Sequence, residues 1–217
     1  MSPKPDLIHY TYFRSSAAFR TRIALNLKGL KPEQAFVHLR RNEQNADAYL
    51  RLNPQGLVPT LVHDGTAIGQ SLAIIEYLDE IWPDPPLLPK DSKGRARVRE
   101  IALAIACDTH TVNNLRIRNY LLNLGHSEAE VLAWQVHWIE TEFVALEKRL
   151  AASAQTGTFC HGATPTLADI CLVPQMANAR GVNMDLSPFP TLLRIEKAAF
   201  ALAAFVDAMP KNQPDAE

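Results

Sequence analysis

The sequence has few cysteines and no long apolar run, and each shortage excludes a class of protein. Its 217 residues contain three widely spaced cysteines, Cys107, Cys160 and Cys171. Such a set forms neither a disulfide framework nor a zinc site, so we expect reduced thiols and a cytoplasmic location. No apolar run approaches the roughly 20 residues of a membrane-spanning helix. Residues 1–6 also lack the apolar core of a secretory signal.

Neither sign of charge is in excess. The chain has 22 lysines and arginines against 23 aspartates and glutamates, for a formal net charge of -1. A balanced chain lacks the basic surface that binds nucleic acid or an anionic membrane, so we expect neither as a partner. The seven histidines include no pair four residues apart and no HExxH motif, so we expect no metal site.

Strand and helix patterns alternate over residues 1–82. Strands are predicted at 6–12, 34–39, 60–63 and 66–68, and helices at 16–28, 46–52 and 71–82. Asp64-Gly65, between the last two strands, is a strong hairpin signal. This β-α-β-α-β-β-α order predicts an α/β domain with a mixed sheet and helices on its faces.

The composition changes at the proline-rich stretch 83–89, which predicts a linker. We place an α/β domain at 1–83, the linker at 84–92 and an all-α domain at 93–217. The helical patterns of the second domain cover 93–124, 127–153, a segment opening at 166, and 191–209. Thr166 and Asp169 form a variant capping box. The polar tail 210–217 is predicted to fray.

Two serines, Ser15 and Ser16, lie where the first strand turns into the first helix. Unpaired N–H groups and the positive end of the helix dipole suit an anion there, and a hydroxyl can donate to a thiolate or carboxylate. The alternative is that a serine only caps the helix. Arg14, just before them, can bind a carboxylate through a bidentate fork or form a surface salt bridge.

Several motifs together resemble the cytosolic glutathione transferases, and within them the zeta class, which includes maleylacetoacetate and maleylpyruvate isomerases. The motifs are Arg14-Ser15-Ser16 with Arg20 and Arg22-Ile23-Ala24-Leu25, the loop from Asn53 to Leu61, Gly69-Gln70-Ser71-Leu72-Ala73-Ile74, and the stretch from Leu167 to Gln175 with Ala177-Asn178-Ala179. The resemblance implies a thioredoxin-like N-terminal domain followed by an all-helical C-terminal domain. It also implies glutathione as cofactor and a homodimer.

The resemblance further implies which residues bind glutathione. They are Ser15, Ser16, Gln44, Val58, Pro59, Gln70, Ser71, His110 and Asn114. A cis bond at Pro59 turns the Val58 backbone outward, where it can pair with an extended peptide. Ser71 opens a helix and can hold a carboxylate, or be a plain cap. His110 and Asn114, four residues apart, are expected on one helix face, although a lone histidine is more often structural.

The implied reaction is a cis–trans change in a small oxo-dicarboxylate. Addition of a thiolate makes the double bond single, rotation follows, and glutathione is regenerated. Arg14, Ser15 and Ser16 are the expected catalytic residues, with Ser15 as the first candidate for the hydrogen bond to the thiolate. Arg14, Arg116 and Arg180 are the expected ligands of the substrate carboxylates.

Two residues depart from the zeta pattern. Ala17 stands where the signature usually has a cysteine, and Gly181 stands where the class has an arginine, with Arg180 one residue early. The leading hypothesis is an isomerase of aromatic-compound breakdown. The alternatives are a transferase that consumes glutathione on electrophiles, and a non-catalytic binding protein with a glutathione transferase fold.

Overall fold

The computed structural model describes residues 6–217. Residues 1–5 lie outside the described part, and with them most of the segment predicted to lack the apolar core of a secretory signal. The described chain divides into two compact units. The first contains the residues up to Leu87 together with Leu202–Glu217, and the second is Leu88–Ala201. No helix within residues 6–217 is long and apolar enough to cross a membrane.

The first unit is built on a four-stranded mixed sheet of order β2-β1-β3-β4. Its elements are β1 (Leu7–Thr11), α1 (Ser16–Leu27), β2 (Glu33–Phe36), α2 (Asp47–Leu52), β3 (Thr60–His63), β4 (Thr66–Gly69) and α3 (Ser71–Ile81). β1 is parallel to β2 and antiparallel to β3, and β3 is antiparallel to β4. The α/β fold and element order predicted from the sequence are confirmed.

Local residue chemistry explains where these elements turn. Asp64 and Gly65 both have positive φ, 47° and 78°, as the type I′ turn of a two-residue hairpin requires. The second strand is shorter than the predicted 34–39, because it ends at Phe36 and His38 begins a 3₁₀ turn. The His38 ring Nδ1 accepts a hydrogen bond from the Arg41 N–H at 3.2 Å, which stabilises that turn.

The second unit is entirely helical. Its helices are α4 (Ser92–Leu103), α5 (His110–Asn113), α6 (Leu115–Asn123), α7 (Glu128–Ala151), α8 (Leu167–Gly181) and α9 (Pro190–Ala199), with a π-helical turn at Ala104–Thr109. The prediction of one continuous helix over 93–124 is wrong. Asn114 adopts an extended backbone, with ψ of 167°, and its side-chain oxygen accepts from the Ile117 N–H, so that it caps α6. Asparagine favours this role over a helix interior.

The capping box predicted at the start of α8 is confirmed. The Asp169 carboxylate accepts hydrogen bonds from the Thr166 N–H and hydroxyl and from the Cys160 N–H, at 2.7–2.9 Å. Asp169 is fully buried, and burial raises its pKa above the usual aspartate value. Its three donors compensate the burial of the carboxyl group, which explains how a polar residue can occupy the helical core.

The last predicted helix, over 191–209, is divided into α9 and α10 (Ala203–Asp207). Residues 202–217 pack with the α/β unit, although the sequence analysis placed them with the helical domain. The tail is folded and not frayed, since the Gln213 amide donates to the carbonyls of Asp207 and Met209 at 2.7 and 2.9 Å. Phe205 of α10 is fully buried and anchors the segment.

A buried histidine joins the sheet to the first helix. Nε2 of His9, on β1, lies 2.8 Å from the Thr21 hydroxyl, which itself donates to the Ala18 carbonyl. Because the only hydroxyl proton is used there, Nε2 carries the proton of a neutral ring. Two effects lower the pKa of His9 to about 3: burial is the larger, and the charge of Arg22 is the smaller.

We predict that acid destabilises the fold through His9. Between pH 6.5 and about 3 the unfolded chain binds a proton at His9 that the folded chain does not, so the free energy of unfolding falls as the pH falls. The contribution is about 1.4 kcal/mol between pH 7.5 and 5.5. Urea unfolding at the two pH values measures it in the wild type and in His9→Gln, which has no titrating ring.

Thr21→Val is the control, because it removes the hydrogen bond and keeps the buried ring. It is expected to lower stability at both pH values and to retain the wild-type pH dependence. Equal pH dependence in the wild type and His9→Gln contradicts the prediction.

Candidate active site

Ser15 lies at the turn between β1 and α1 and is the N-cap of α1. Its Oγ accepts a hydrogen bond from the Ala18 N–H at 3.2 Å, and its own N–H donates to the Tyr12 carbonyl at 3.0 Å. The helix cap weighed in the sequence analysis is therefore formed. A hydroxyl that accepts still has its proton to donate. The first turn of α1 contains no acidic residue, so the N-terminus keeps its attraction for an anion.

Arg14 and Ser16 flank Ser15. The Arg14 side chain is exposed, with its guanidinium carbon 6.0 Å from the centre of the Phe13 ring. No carboxylate among residues 6–217 forms an ion pair with it, so the alternative of a surface salt bridge is not formed within the described chain. Ser16 is the first residue of α1 and is half-buried. A free cation and two hydroxyl-bearing residues thus occur at one helix start.

The turn that carries these residues is held by the buried side chain of Arg22. Its Nη1 donates to the Thr11 hydroxyl and the Tyr12 carbonyl, both at 3.2 Å, and its Nη2 donates to the Phe13 carbonyl at 3.0 Å. Its Nε donates to the carbonyl of Ala208 at 3.0 Å. Burial lowers the pKa of Arg22 to about 10, and the charge of Asp215 opposes that shift. The guanidinium therefore stays charged at neutral pH.

The Val58–Pro59 peptide bond is cis, as predicted. The preceding carbonyl, of Leu57, accepts from the Tyr49 hydroxyl at 2.6 Å and from the Asn53 amide at 2.8 Å. The N–H and C=O of Val58 form no hydrogen bond with any of residues 6–217. This backbone pair can therefore receive an extended peptide in the manner of a strand.

Gln70 and Ser71 form a second helix start suited to an anion. Gln70 has a φ of 65°, rare for a residue with a side chain, and its Nε2 donates to Gln55 Oε1 at 2.9 Å. Ser71 is the first residue of α3 and is buried. Arg20, which is 1% exposed, donates from Nη1 to the Ser71 hydroxyl at 3.4 Å. A hydroxyl, helix N–H groups and a buried cation converge here, which is the chemistry of a carboxylate site.

Gln44 offers a further acceptor in the same unit. Its Nε2 donates to Asn42 Oδ1 at 3.3 Å. Its Oε1 is buried and has no hydrogen-bond partner among residues 6–217. An unsatisfied buried acceptor is costly, and a ligand N–H group is a natural partner for it.

Three predicted site residues of the helical unit have other surroundings than expected. His110 and Asn114 do not share a helix face, because α5 ends at Asn113 and Asn114 caps α6. The Asn114 amide also donates to the Thr111 carbonyl at 3.0 Å, so both ends of its side chain are used within the unit. Arg180 forms a forked ion pair with the buried carboxylate of Glu196 on α9, so its guanidinium has a partner within the unit.

The roles predicted for Arg116 and His110 as ligands stay predictions. Arg116, on α6, is exposed and has no ion-pair partner among residues 6–217. His110 is half-buried at the start of α5, directly after the π-helical turn. Within residues 6–217, no three side chains of the kinds that bind metals lie together.

Comparison with known proteins identifies the family. Residues 14–81 match the model of the N-terminal domain of glutathione S-transferases. A probable maleylacetoacetate isomerase of Vibrio cholerae is 48% identical over 214 residues, which cover 97% of this chain and 99% of that protein. A solved holo structure of a maleylpyruvate isomerase, described as a bacterial zeta-class glutathione transferase, is 45% identical with a TM-score of 0.95, covering 97% of this chain and 100% of that one. The chain belongs to the zeta class of the glutathione transferases.

A second solved relative contains bound ligands. The solved maleylacetoacetate isomerase of Methylobacterium extorquens contains bound malonate and glutathione. It is 40% identical with a TM-score of 0.94, and the match covers 97% of this chain and 99% of that one. The features of our α/β unit fit glutathione: an unpaired Val58 backbone for a peptide, the Ser71 site for a carboxylate, and the Ser15 helix start for a thiolate. The sequence analysis did not place Arg20 beside Ser71, since only tertiary contact joins α1 to α3.

The two departures from the zeta pattern lie in ordinary surroundings. Ala17 is half-buried on α1 and offers no reactive group. A Cβ added at Gly181 would meet no atom of the described chain within 4 Å, so nothing in its packing demands glycine. Neither position thus offers a reactive or charged group to a ligand.

We predict that Arg22→Lys destabilises the protein by about 2–4 kcal/mol. A lysine ammonium is compact and cannot reach the four acceptors that the planar guanidinium joins, so buried carbonyls lose their donors. Urea unfolding with circular dichroism measures the loss. Arg51→Lys, an exposed arginine of α2, is the matched control, and a similar small effect for both variants contradicts the prediction.

Proposed function

We propose that this zeta-class protein is a glutathione-dependent isomerase that converts a small cis oxo-dicarboxylate, of the maleylacetoacetate or maleylpyruvate kind, into its trans isomer. The observation that carries the proposal is Arg14, an exposed guanidinium without a carboxylate partner in the described chain, immediately before the Ser15 helix start. A cation beside a thiolate-binding site suits a substrate that carries carboxylates. The relatives named above are isomerases of these two compounds.

The α/β unit supplies most of the proposed glutathione site. We assign its binding to Ser15, Ser16, Gln44, Val58, Pro59, Gln70 and Ser71. When bound, glutathione supplies the thiolate that adds reversibly to the substrate double bond and so permits rotation. The Ser15 hydroxyl donates a hydrogen bond to that sulfur, and together with the N-terminus of α1 it lowers the pKa of the thiol from about 8.5.

Substrate binding is assigned to arginines. Arg14 binds one carboxylate through its fork, and Arg116 is the second ligand implied by the family. For Arg180 the role stays a prediction, and it competes with the ion pair in which Glu196 engages both arms of the guanidinium. His110 and Asn114 stay predictions as ligands of glutathione or substrate. For Asn114 the ligand role competes with the cap of α6 that it already forms.

A transferase that consumes glutathione on electrophiles is the second candidate. The missing thiol at Ala17 and the glycine at position 181 leave room for a different substrate. A non-catalytic binding protein is disfavoured by the retained serines and by the unpaired Val58 backbone. The homodimer implied by the family stays a prediction. So does the cytoplasmic location.

We predict that Ser15→Ala lowers turnover at neutral pH about ten- to a hundredfold, and more than Ser16→Ala does. A hydrogen bond to a charged partner contributes roughly 1.5–3 kcal/mol, and raising the pH should recover part of the loss. Ser15→Gly separates the thiolate role from the cap, because glycine is tolerated at an N-cap but has no hydroxyl. A Ser15→Gly enzyme as active as the wild type would show that only the cap matters. If Ser16→Ala lowers turnover more than Ser15→Ala does, Ser16 and not Ser15 donates the hydrogen bond to the thiolate.

We predict that the wild type isomerises maleylpyruvate or maleylacetoacetate with no net loss of glutathione, and that Arg14→Met selectively impairs this reaction. Losing one bidentate contact should cost a few kcal/mol in kcat/KM on the diacid and little on a neutral chloronitrobenzene. Arg51→Met is the control for a lost surface charge. Product spectra measure the turnover of each substrate, and free-thiol titration measures the loss of glutathione.

Equal losses on the diacid and the neutral compound would make Arg14 structural. Efficient conjugation of the neutral compound without diacid turnover would establish the transferase instead.

A further inference from the structure

The turn that carries Arg14 and Ser15 is bonded to a residue from the far end of the chain. The Phe13 N–H, one residue before Arg14, donates to Asp215 Oδ2 at 2.9 Å. The Phe13 carbonyl accepts from Arg22, so both backbone polar groups of Phe13 are occupied. A hydrogen bond to a carboxylate is stronger than one to a neutral acceptor. The direction of the chain entering Ser15 is thus set partly by Asp215.

The segment that presents Asp215 is itself firmly placed on the α/β unit. Phe205 is fully buried, and the Asn26 amide of α1 donates to the Ala204 carbonyl at 3.0 Å. Arg22 joins the Ala208 carbonyl to the same turn that Asp215 contacts. Beyond Asp215, Glu217 accepts from Arg41 Nη2 at 2.7 Å. Asp215 is therefore held from both sides, and its contact with Phe13 is not that of a loose tail.

The surroundings of Asp215 are poorly suited to a purely stabilising role. Its second oxygen, Oδ1, is buried and has no hydrogen-bond partner among residues 6–217. A buried carboxylate oxygen without a donor costs stability. The contacts that accompany this cost are the hydrogen bond to the Phe13 amide and the charge interaction with the buried Arg22. Both act on the turn before Ser15, because Arg22 donates to the Phe13 carbonyl.

We infer that Asp215 is a positioning residue for the isomerase reaction: by fixing the Phe13 amide it orients Ser15 toward the thiolate and Arg14 toward the substrate carboxylate. This role rests on the proposed function. Small displacements of groups at a reacting centre lower rates strongly. Removal of the carboxylate should weaken the Ser15 hydrogen bond to sulfur, and so raise the pKa of the bound thiol and move the pH profile of kcat/KM upward.

Three variants in the full-length protein test the role, each measured for kcat/KM against pH and for the ultraviolet absorbance of bound glutathione thiolate against pH. Asp215→Ala should lower kcat/KM about tenfold at pH 6.5, recover part of it at pH 8.5, and raise the thiol pKa. Asp215→Asn should stay within about threefold of the wild type, because its amide oxygen still accepts from Phe13. Asn212→Ala is the matched control, since its side chain donates within the same segment, to the Val206 carbonyl at 2.7 Å.

The role would be overturned if Asp215→Ala kept the wild-type pH profile and the wild-type thiol pKa, whatever the melting temperature of the variant. An Asp215→Asn enzyme as impaired as Asp215→Ala, or an Asn212→Ala enzyme with the same altered profile, would also overturn it. If Asp215→Ala fails to fold, Asp215→Glu, which moves the carboxylate by one methylene, must shift the profile in the same direction, and an unshifted profile rejects the role. A wild type that neither binds glutathione nor isomerises would reject the proposed function, and this role with it.

Discussion

The buried guanidinium of Arg22 is the interaction on which the rest of the site depends. It joins the end of β1, the turn into α1 and the segment that follows α10 through four hydrogen bonds. Only a planar group with several fixed donors can satisfy oxygens from three parts of the chain at once. Burial lowers its pKa to about 10, still far above neutrality. The charge is therefore retained, and the surrounding oxygens compensate its loss of water.

The site built on this support relies on the backbone more than on charged side chains. Two helix N-termini, those of α1 and α3, and the unpaired peptide groups of Val58 present donors and acceptors whose directions the fold sets. Such groups need no reorganisation when a ligand arrives, so their electrostatic effect is available at once. One arginine lies at each helix start: Arg14 is exposed beside Ser15, and Arg20 is buried against Ser71.

The parts of the site that sequence reasoning identified are those made by neighbours along the chain. Ser15 caps α1 through a hydrogen bond to a residue three positions on, and Thr166 with Asp169 forms its box over the same span. The helix prediction failed where one side chain had two local choices. Asn114 fits a helical repeat as well as a cap, and the cap forms. A distant partner is equally hidden from a local pattern: Arg180 pairs with Glu196, sixteen residues on.

The sequence by itself determined the α/β and all-α halves, the serine helix start, the Val58–Pro59 loop and the family, because each is encoded in periodicity or in a short motif. Tertiary structure alone decided that residues 202–217 complete the α/β unit and that Arg20 lies against Ser71. It also decided that Asp215 accepts from the turn before Ser15 and that Ala208 accepts from Arg22. These contacts join residues as many as 202 positions apart. No local pattern encodes such a pair, since it exists only after the hydrophobic burial of Phe205 and its neighbours has brought the two ends of the chain together.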